Sequence, residues 1–389
     1  MQATTTRKTR AARKPSASSG ASAKRGYVGL PGQVVLVLQG GGALGAFQVG
    51  AYEAMREASI EPDWVIGTSI GAINGAIIAG NPPEHRVARL HAFWEGVTQR
   101  GGDGIPAFLG AFSQTMANLT TITRGIPTFF TPAKQLLGGI HARVGIEEAA
   151  YYSTAPLRDT LSRLIDLDYL NAHHTRLTVG AVNARTGQMR YFDSREETIE
   201  LSHIMASGAL PPAFPAVRID GEPYWDGGIF SNTPVEAVLD DKPRRNSVIF
   251  TTNLWNPDGP EPQTLWEVMG REKDIQYASR TNSHIVRQKQ IHHLRHIIRE
   301  LARHASAKEA KSTVFRELAS WGCGTLMHIV PLVAPPQEDE DQLKDIDFTP
   351  HGISTRMQAG IAESRRVLEA APWQRPVNPM EGVIVHDNL

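Results

Sequence analysis

Residues 34–38 read VVLVL and residues 39–45 read QGGGALG, and these two segments decide the fold. Five apolar, mainly β-branched residues in a row are typical of a strand that is buried on both faces. The glycines that follow end this strand. Apolar side chains then recur at spacings of two to three, at Phe47, Val49, Tyr52 and Met55. The sequence therefore predicts a strand, a glycine loop and a helix, in this order.

A second unit of the same kind begins at residue 64. Residues 64–69 read WVIGTS, which predicts another buried strand that turns into a helix. Four isoleucines between residues 70 and 78 continue at helical spacing, until the GNPP of residues 80–83 stops the helix. Further along, residues 177–182 and 189–192 predict a strand pair. Two strand and helix units in succession predict an α/β layered domain.

The composition is that of a globular protein and limits the class further. The chain has 389 residues, of which 41% are hydrophobic, so it is long enough for two or three domains with proper cores. A chain that is disordered throughout is excluded. The single cysteine, Cys323, excludes a scaffold held by intramolecular disulfides and favours a reducing compartment.

The zero net charge hides a basic leader. Residues 1–26 carry seven Lys or Arg and no acid, which leaves 33 basic against 40 acidic residues elsewhere, a difference of −7. The leader has no apolar block and therefore lacks the core of a secretory signal. We expect a disordered tail. The other interpretations are a cationic arm that binds anionic lipid, nucleic acid or another polyanion, and a transit peptide. No specific nucleic-acid partner is predicted, and the expected location is the cytoplasm, with peripheral membrane attachment as the alternative.

Two uncharged stretches, residues 64–83 and 104–123, are too rich in glycine and polar residues to predict a membrane span. Residues 101–140 carry one apolar stripe at helical spacing, formed by Phe108, Phe112, Met116 and Leu119. This segment is either an insertion packed on the core or a mobile lid that contacts lipid. Residues 104–130 and the basic leader are therefore the candidates for peripheral contact with a lipid surface.

A long polar stretch, from residue 264 to about residue 310, predicts basic, histidine-rich helices. His292 and His296 are four residues apart and could share one helix face, which raises the question of a metal site. No acid lies between them as in the zincin pattern, so we interpret this stretch as a solvated basic face and predict no metal.

The candidate nucleophile is Ser69. Residues 67–71 read GTSIG, a G-x-S-x-G sequence between the second predicted strand and its helix. At a nucleophile elbow the serine occupies a sharp, strained turn, and glycines such as Gly67 and Gly71 leave room for the close approach of strand, helix and substrate. The positive end of the following helix points at charge that forms near the serine. The plain alternative is a serine that merely begins a helix.

The glycine loop has two interpretations. It satisfies G-x-G-x-x-G after a strand, as dinucleotide-binding proteins do, but the acidic residue this would need, Asp63, precedes the second strand instead of ending it. The other interpretation is an oxyanion hole, because consecutive glycines expose backbone N–H groups to a tetrahedral oxyanion. Its candidate donors are Gly40, Gly41, Gly42 and Ala43.

Asp226 is the candidate base. It precedes Gly227 and Gly228, where the backbone can fold closely round a partner, and a carboxylate withdrawn from water becomes a better proton acceptor. By itself, Asp-Gly-Gly is also a common turn.

In this order, the three clusters resemble the patatin-like phospholipase family. The matching residues are 40–45 for its oxyanion loop, 67–71 for its nucleophile motif and 226–228 for its aspartate motif, and the likeness extends over residues 34–238. The resemblance implies a three-layer α/β fold with a central, mainly parallel sheet between helices. It also implies a Ser69–Asp226 dyad that hydrolyses acyl esters of phospholipids or other lipids, with no cofactor or metal.

The same resemblance divides the chain into a catalytic domain at residues 33–243 and a largely helical C-terminal extension at residues 244–389. One position departs from the family, which usually has Arg or Lys where this chain has Leu44. Because this removes a cation near the loop, ester hydrolysis is predicted more firmly than phospholipid as the substrate.

Three other functions remain open from the sequence. A Ser-His-Asp esterase would use a histidine after the acid, and residues 284–351 offer several. A protein that binds a lipid or polyester surface with little turnover would use the basic leader and residues 104–130. A dinucleotide-dependent oxidoreductase would use the glycine loop.

Overall fold

The computed structural model describes residues 29–99, 125–133, 141, 143–337, 342–378 and 380–387. The basic leader at residues 1–26 lies outside the described residues. So does most of the segment at residues 101–140, including the predicted apolar stripe.

The described residues form eleven strands and ten helices. The strands are β1 (Gln33–Leu38), β2 (Trp64–Gly67), β3 (Thr131–Pro132), β4 (Tyr152–Ser153), β5 (Arg176–Asn183), β6 (Met189–Asp193), β7 (Val217–Ile219), β8 (Glu222–Asp226), β9 (Ser247–Asn253), β10 (Met327–Val333) and β11 (Val383–Val385). The helices are α1 (Ala46–Glu57), α2 (Ile70–Ala79), α3 (Pro83–Val97), α4 (Ala155–Leu164), α5 (Leu167–Asn171), α6 (Leu201–Ser207), α7 (Val235–Leu239), α8 (Leu265–Arg303), α9 (Thr313–Ser320) and α10 (Pro350–Ala370). Short 3₁₀ turns lie at Gly42–Gly45, Gly227–Ile229, Glu309–Lys311, Lys344–Ile346 and Pro372–Gln374.

One large sheet forms the centre of the molecule, in the strand order β11-β10-β9-β1-β2-β5-β8-β7, with β6 also paired to β5. All pairs from β11 to β5 are parallel. The pairs of β5 with β6 and β8, and of β7 with β8, are antiparallel. The prediction of a central, mainly parallel sheet is confirmed, as is the strand pair on either side of residues 183–188.

The side chains of β1 alternate between two cores. Val34, Leu36 and Leu38 face the larger core, which contains the buried faces of α1, α2, α3 and α10. Val35 and Val37 face a smaller core that includes α7. Because both faces of the strand are covered, an uninterrupted apolar run is the pattern that this strand requires. The molecule therefore has three layers, with helices on both faces of the sheet.

Two glycines bring α1 and α10 together with their backbones in contact. A Cβ atom on Gly50 would lie 1.9 Å from the carbonyl oxygen of Met357, and a Cβ atom on Gly360 would lie 2.1 Å from that of Phe47. The last long helix of the chain is thus packed against the first.

The C-terminal extension is mainly helical, as predicted, but it also contributes three strands. β9 pairs directly with β1 over Gln33–Leu38, and β10 and β11 follow at that side of the sheet. The division of the chain at residue 243 stays a prediction, because β9 continues the sheet of the preceding part.

The interpretation of His292 and His296 as part of a solvated face is wrong. Both side chains are buried between α8 and its neighbours. His292 Nε2 lies 3.2 Å from the carbonyl oxygen of Leu239, and His296 Nε2 lies 3.0 Å from that of Thr325. A polar helix can bury histidines where backbone carbonyls accept their N–H groups. Within the described ranges, no group of three or more His, Cys, Asp or Glu side chains is placed to hold a metal.

No helix in the described part of the chain is both long and apolar enough to cross a bilayer.

Candidate active site

Ser69 lies in the sharp turn between β2 and α2. Its backbone has φ 57° and ψ −126°, a combination that residues with a side chain rarely adopt. The Ser69 N–H donates to Ser207 Oγ at 3.1 Å, and the Ser207 hydroxyl in turn donates to the carbonyl oxygen of Gly180 at 2.6 Å. The geometry is that of a strained strand-to-helix turn, which holds the serine at the carboxyl end of β2.

The two glycines that flank Ser69 are needed because backbone passes too close for a side chain. A Cβ atom on Gly67 would lie 2.3 Å from the carbonyl oxygen of Gly71. A Cβ atom on Gly71 would lie 2.2 Å from the carbonyl oxygen of Leu38, at the end of β1. Glycines at these two positions therefore allow strand, turn and helix to approach as the predicted elbow requires.

Asp226 is the last residue of β8 and is 1% exposed. Its Oδ1 accepts the N–H of Gly228 at 2.7 Å, whereas Oδ2 has no hydrogen-bond partner among the described residues. Burial raises the pKa of Asp226 to about 7, against the opposing effects of the Ser69 hydroxyl and the Gly228 N–H. The Ser69 side chain is thus near enough to lower this pKa, although no hydrogen bond of normal geometry reaches Oδ2.

Gly227 and Gly228 shape the turn that holds this carboxylate. A Cβ atom on Gly227 would lie 2.4 Å from the carbonyl oxygen of Gly180, on β5. A Cβ atom on Gly228 would lie 2.9 Å from Asn232 Oδ1 and 3.1 Å from the carboxylate of Asp226. The chain can fold round Asp226 this closely because both positions are glycine.

The glycine loop lies beside Ser69, and one of its predicted donors is occupied. The Gly40 N–H, expected in the oxyanion hole, donates instead to the carbonyl oxygen of Asn232 at 3.1 Å. Ala43 is fully buried and is not among the described residues that line the cavity at Ser69. Gly41 and Gly42 line that cavity, and neither N–H has a hydrogen-bond partner in the described part of the chain.

Ser69, Asp226 and the glycine loop share one cavity of about 170 Å³. Its wall is mainly apolar and includes Phe129, Phe130, Tyr152, Phe214 and Phe348. All fourteen histidines of the chain are among the described residues, and none of them lines this cavity. The three predicted clusters therefore meet at one site, in apolar surroundings, without a neighbouring imidazole.

Comparison with known proteins identifies the family of this chain. The family model described as "Patatin-like phospholipase" matches residues 36–239. The chain belongs to the patatin-like phospholipase family. A second model, described as "Patatin phospholipase", matches residues 275–380 and thus covers most of the C-terminal extension.

Curated relatives match this chain either over a short segment with high identity or over a longer segment with low identity. The lysophospholipase NTE1 of Candida glabrata is 24% identical over 234 residues, which are 60% of this chain and 11% of that protein. The lysophospholipase nte1 of Aspergillus terreus is 59% identical over 46 residues, 12% of this chain and 3% of that protein. This chain therefore spans a small fraction of these relatives.

Two solved structures of bacterial proteins are also similar. VipD from Legionella pneumophila matches with a TM-score of 0.39 and 15% identity, over 87% of this chain and 67% of that one. The type III effector ExoU matches with a TM-score of 0.30 and 14% identity, over 89% of this chain and 54% of that one.

Several residues that hold this patatin-like site were not predicted from the sequence. The Gly40 carbonyl oxygen accepts Asn232 Nδ2 at 3.0 Å and Trp255 Nε1 at 2.8 Å, which fixes the base of the glycine loop. Gln39 Nε2 donates to Thr233 Oγ1 at 2.7 Å. Asn232 and Thr233 belong to an Asn-Thr-Pro sequence shortly after the aspartate motif, and no sequence pattern assigns them a role.

The C-terminal extension also reaches the site. Gly42 has φ 54°, and a Cβ atom on it would lie 2.2 Å from the carbonyl oxygen of Asp345. The 3₁₀ turn Lys344–Ile346 is thus packed on the glycine loop. Two ion pairs to α8 hold this turn, Lys273 with Asp345 at 2.9 Å and Lys344 with Asp274 at 2.7 Å.

Leu44, where the family usually has a cation, is buried and 4% exposed. It does not line the cavity at Ser69 but a separate one of about 460 Å³, together with Arg271, Lys344 and Arg356. Residue 44 is therefore outside the cavity that holds the reacting groups, and the separate space next to it is lined by both cations and carboxylates of the C-terminal extension, the latter being Asp258, Glu261, Glu267 and Asp274.

Proposed function

We propose that this protein is a serine hydrolase of lipid acyl esters, with Ser69 as nucleophile and Asp226 as general base. The observation that carries the proposal is that a strained serine and a carboxyl group with a raised pKa face the same apolar cavity. Membership of the patatin-like phospholipase family supports the same reaction.

In the first half-reaction, Ser69 Oγ attacks the carbonyl carbon of the ester, and its proton passes to Asp226 Oδ2. The carbonyl oxygen becomes an oxyanion, which accepts the N–H groups of Gly41 and Gly42. When the intermediate collapses, the bond to the alcohol oxygen breaks and Asp226 returns the proton to the leaving alcohol. The acyl group stays on Ser69.

In the second half-reaction, water attacks the acyl carbon while Asp226 Oδ2 accepts a proton from it. The same N–H groups stabilise the second oxyanion. Collapse releases the fatty acid, and Ser69 regains its proton from Asp226. A carboxylate with a pKa of about 7 suits both roles, because it can accept and return a proton near neutral pH.

A Ser-His-Asp triad is the nearest alternative mechanism. A histidine in that role must lie within hydrogen-bonding reach of both the serine and the acid. No residue that lines the described cavity is a histidine, and Asp226 itself lies beside Ser69. These positions favour direct proton transfer between the two side chains of a dyad.

The substrate class follows from the wall of the cavity. Aromatic and aliphatic side chains cover most of it, which suits the acyl chain of an ester better than a polar group. Peripheral contact with a lipid surface through the basic leader and residues 104–130 is part of the same proposal. Most of these residues lie outside the described part of the chain.

The test is labelling with a fluorophosphonate, followed by intact-mass measurement and peptide mapping. We expect one adduct, on Ser69, in the parent protein, and none in Ser69→Ala or Asp226→Asn. Ser162→Ala and Asp220→Asn, two exposed positions away from the cavity, are the matched controls and should label fully. The absence of any adduct in detergent, or an adduct at another serine, would contradict the proposed nucleophile.

A further inference from the structure

The wall of the Ser69 cavity contains three aromatic residues from outside the predicted catalytic domain, Trp255, Tyr277 and Phe348. Phe130 lies 5.3 Å from Phe214 and 4.8 Å from Tyr152, measured between ring centroids, and Phe129 joins this group. Phe348, from the C-terminal extension, completes the wall at 6.0 Å from Phe129. Part of the substrate pocket is therefore built by a segment that follows Ser69 by more than 250 residues in sequence.

Phe348 lies between the cavity and the core. Its ring stacks on that of Trp94, with centroids 6.3 Å apart and planes 22° apart, and Trp94 is fully buried and does not line the cavity. The carbonyl oxygen of Phe348 accepts the N–H of Gln99 at 2.9 Å. With 3% of its surface exposed, Phe348 forms the inner end of the pocket on this side.

The segment that carries Phe348 is anchored on both sides. Before it, Asp345 and Lys344 form their ion pairs with α8. After it, Thr349 caps the N-terminus of α10. Asp347, directly before Phe348, forms a buried ion pair with Arg356 of that helix at 3.2 Å. Anchors at both ends hold the ring in one position, as a residue that sets the length of a pocket requires.

From these contacts we propose that Phe348 is a specificity-determining residue. It limits the acyl chain of the ester substrate to a short or medium length. The inference rests on the proposed function of Ser69. The size of the cavity gives the limit, because an apolar cavity of about 150 Å³ in another protein holds the six carbons of benzene. A cavity of about 170 Å³ then accommodates a chain of roughly six to eight carbons.

The experiment compares kcat/KM for p-nitrophenyl esters of 4 to 14 carbons, in the full chain and in variants at residue 348. We expect an optimum near six to eight carbons in the parent protein. Phe348→Ala opens the pocket toward Trp94, so the optimum should move to longer chains by two to four carbons. Each further methylene that becomes buried raises kcat/KM by about fourfold. Phe348→Trp should move the optimum to shorter chains.

Phe315→Ala is the matched control, since it removes a phenyl ring from the same extension at a residue that does not line the cavity. It should leave the chain-length profile unchanged. Thermal unfolding followed by circular dichroism shows whether each variant is folded. If Phe348→Ala does not fold, Phe348→Leu and Phe348→Trp still test the limit in both directions. Profiles that coincide in all folded variants at residue 348 would overturn the inference.

A second measurement separates this inference from the proposed reaction. In Ser69→Ala, binding of 1-alkanols from hexanol to dodecanol is measured by calorimetry, with and without Phe348→Ala. Affinity should rise with chain length up to six to eight carbons and then level off, and the plateau should move to longer chains when Phe348 is removed. If the parent protein cleaves no ester but the plateau moves, the proposed hydrolysis fails and the pocket limit stands. If esters are cleaved but neither profile nor plateau moves, the limit fails.

Discussion

Asp226 shows how a single residue gains the properties of a base at neutral pH. The residue is buried at the end of β8, and one of its oxygens is fixed by the N–H of Gly228 while the other has no hydrogen-bond partner among the described residues. Burial disfavours the charged form and raises the pKa to about 7. The higher pKa makes the Asp226 carboxylate a better proton acceptor, but it also lowers the fraction of Asp226 that is ionised below pH 7.

The first prediction concerns the pH dependence of hydrolysis. Only the ionised form of Asp226 can accept the proton of Ser69, so kcat/KM should rise with pH and level off above about pH 7. The measurement is the pH profile of kcat/KM for p-nitrophenyl hexanoate between pH 5 and pH 9, corrected for spontaneous hydrolysis of the ester. A kcat/KM that is already constant from pH 5 upward would show that Asp226 has an ordinary pKa and would contradict the prediction.

The second prediction concerns stability at the same residue. The pKa of Asp226 is about 7 in the folded protein, against 3.8 for the free group. Between these values the unfolded chain loses a proton that the folded chain keeps, so stability falls as pH rises and the loss is complete above pH 7. The difference of about three pKa units corresponds to a penalty of up to about 4 kcal/mol. In Asp226→Asn the side chain stays neutral, so this loss of stability does not occur.

Urea unfolding of Asp226→Asn and the parent protein at pH 5, 6, 7 and 8 measures this effect. We expect the free energy of unfolding of Asp226→Asn to exceed that of the parent protein by an amount that grows with pH and levels off above pH 7. Asp220→Asn, at an exposed carboxylate, should show no such trend. An advantage that is equal at all four pH values would mean that the carboxylate of Asp226 is not destabilised by burial.

At the scale of single elements, the sequence predicted local structure better than it predicted contacts between distant segments. The strand, glycine loop and helix at residues 34–57 follow from an apolar run and helical spacing, and the turn at Ser69 follows from G-x-S-x-G. The contacts of Asp345 and Phe348 with this region could not be predicted, because no local pattern encodes a pairing between residues so far apart in sequence. His292 was misread for a related reason. Its helix is polar, and only the tertiary structure shows which face is covered.

The third prediction concerns the packing of α1 on α10. Gly50→Ala would place a Cβ atom 1.9 Å from the carbonyl oxygen of Met357, so the two helices must separate. Because backbone cannot move aside as a flexible side chain does, we expect a loss of about 3 kcal/mol or more in the free energy of unfolding. Urea unfolding measures it.

Gly96→Ala is the matched control, since it lies in α3 and its nearest contact would be Thr128 Oγ1 at 3.9 Å. There, alanine should be neutral or stabilise the protein by about 0.5–1 kcal/mol through its higher helix propensity. Equal effects at residues 50 and 96 would mean that α1 and α10 do not approach as closely as the structure shows.

For the whole molecule, the position of β9 beside β1 has the largest consequence. β1 leads directly into the glycine loop, and it is paired on one side with β2 and on the other with β9. The extension also covers the larger core through α10 and forms part of the pocket through Phe348. The sequence suggests a separate extension after residue 243, whereas from these contacts we expect the extension to be part of the unit that folds.

The fourth prediction is that the chain cut after residue 243 does not fold by itself. Without β9 and α10, the edge of β1 and one face of the larger core meet water, and an unpaired, apolar strand edge favours aggregation. We expect insoluble protein or no cooperative thermal transition, and no fluorophosphonate adduct on Ser69. The control is a cut after residue 378, which removes only the short edge strand β11 from the sheet. It should lower the melting temperature but keep a cooperative transition and the adduct. If the chain cut after residue 243 is soluble, melts cooperatively and labels at Ser69, the extension is instead a separate domain.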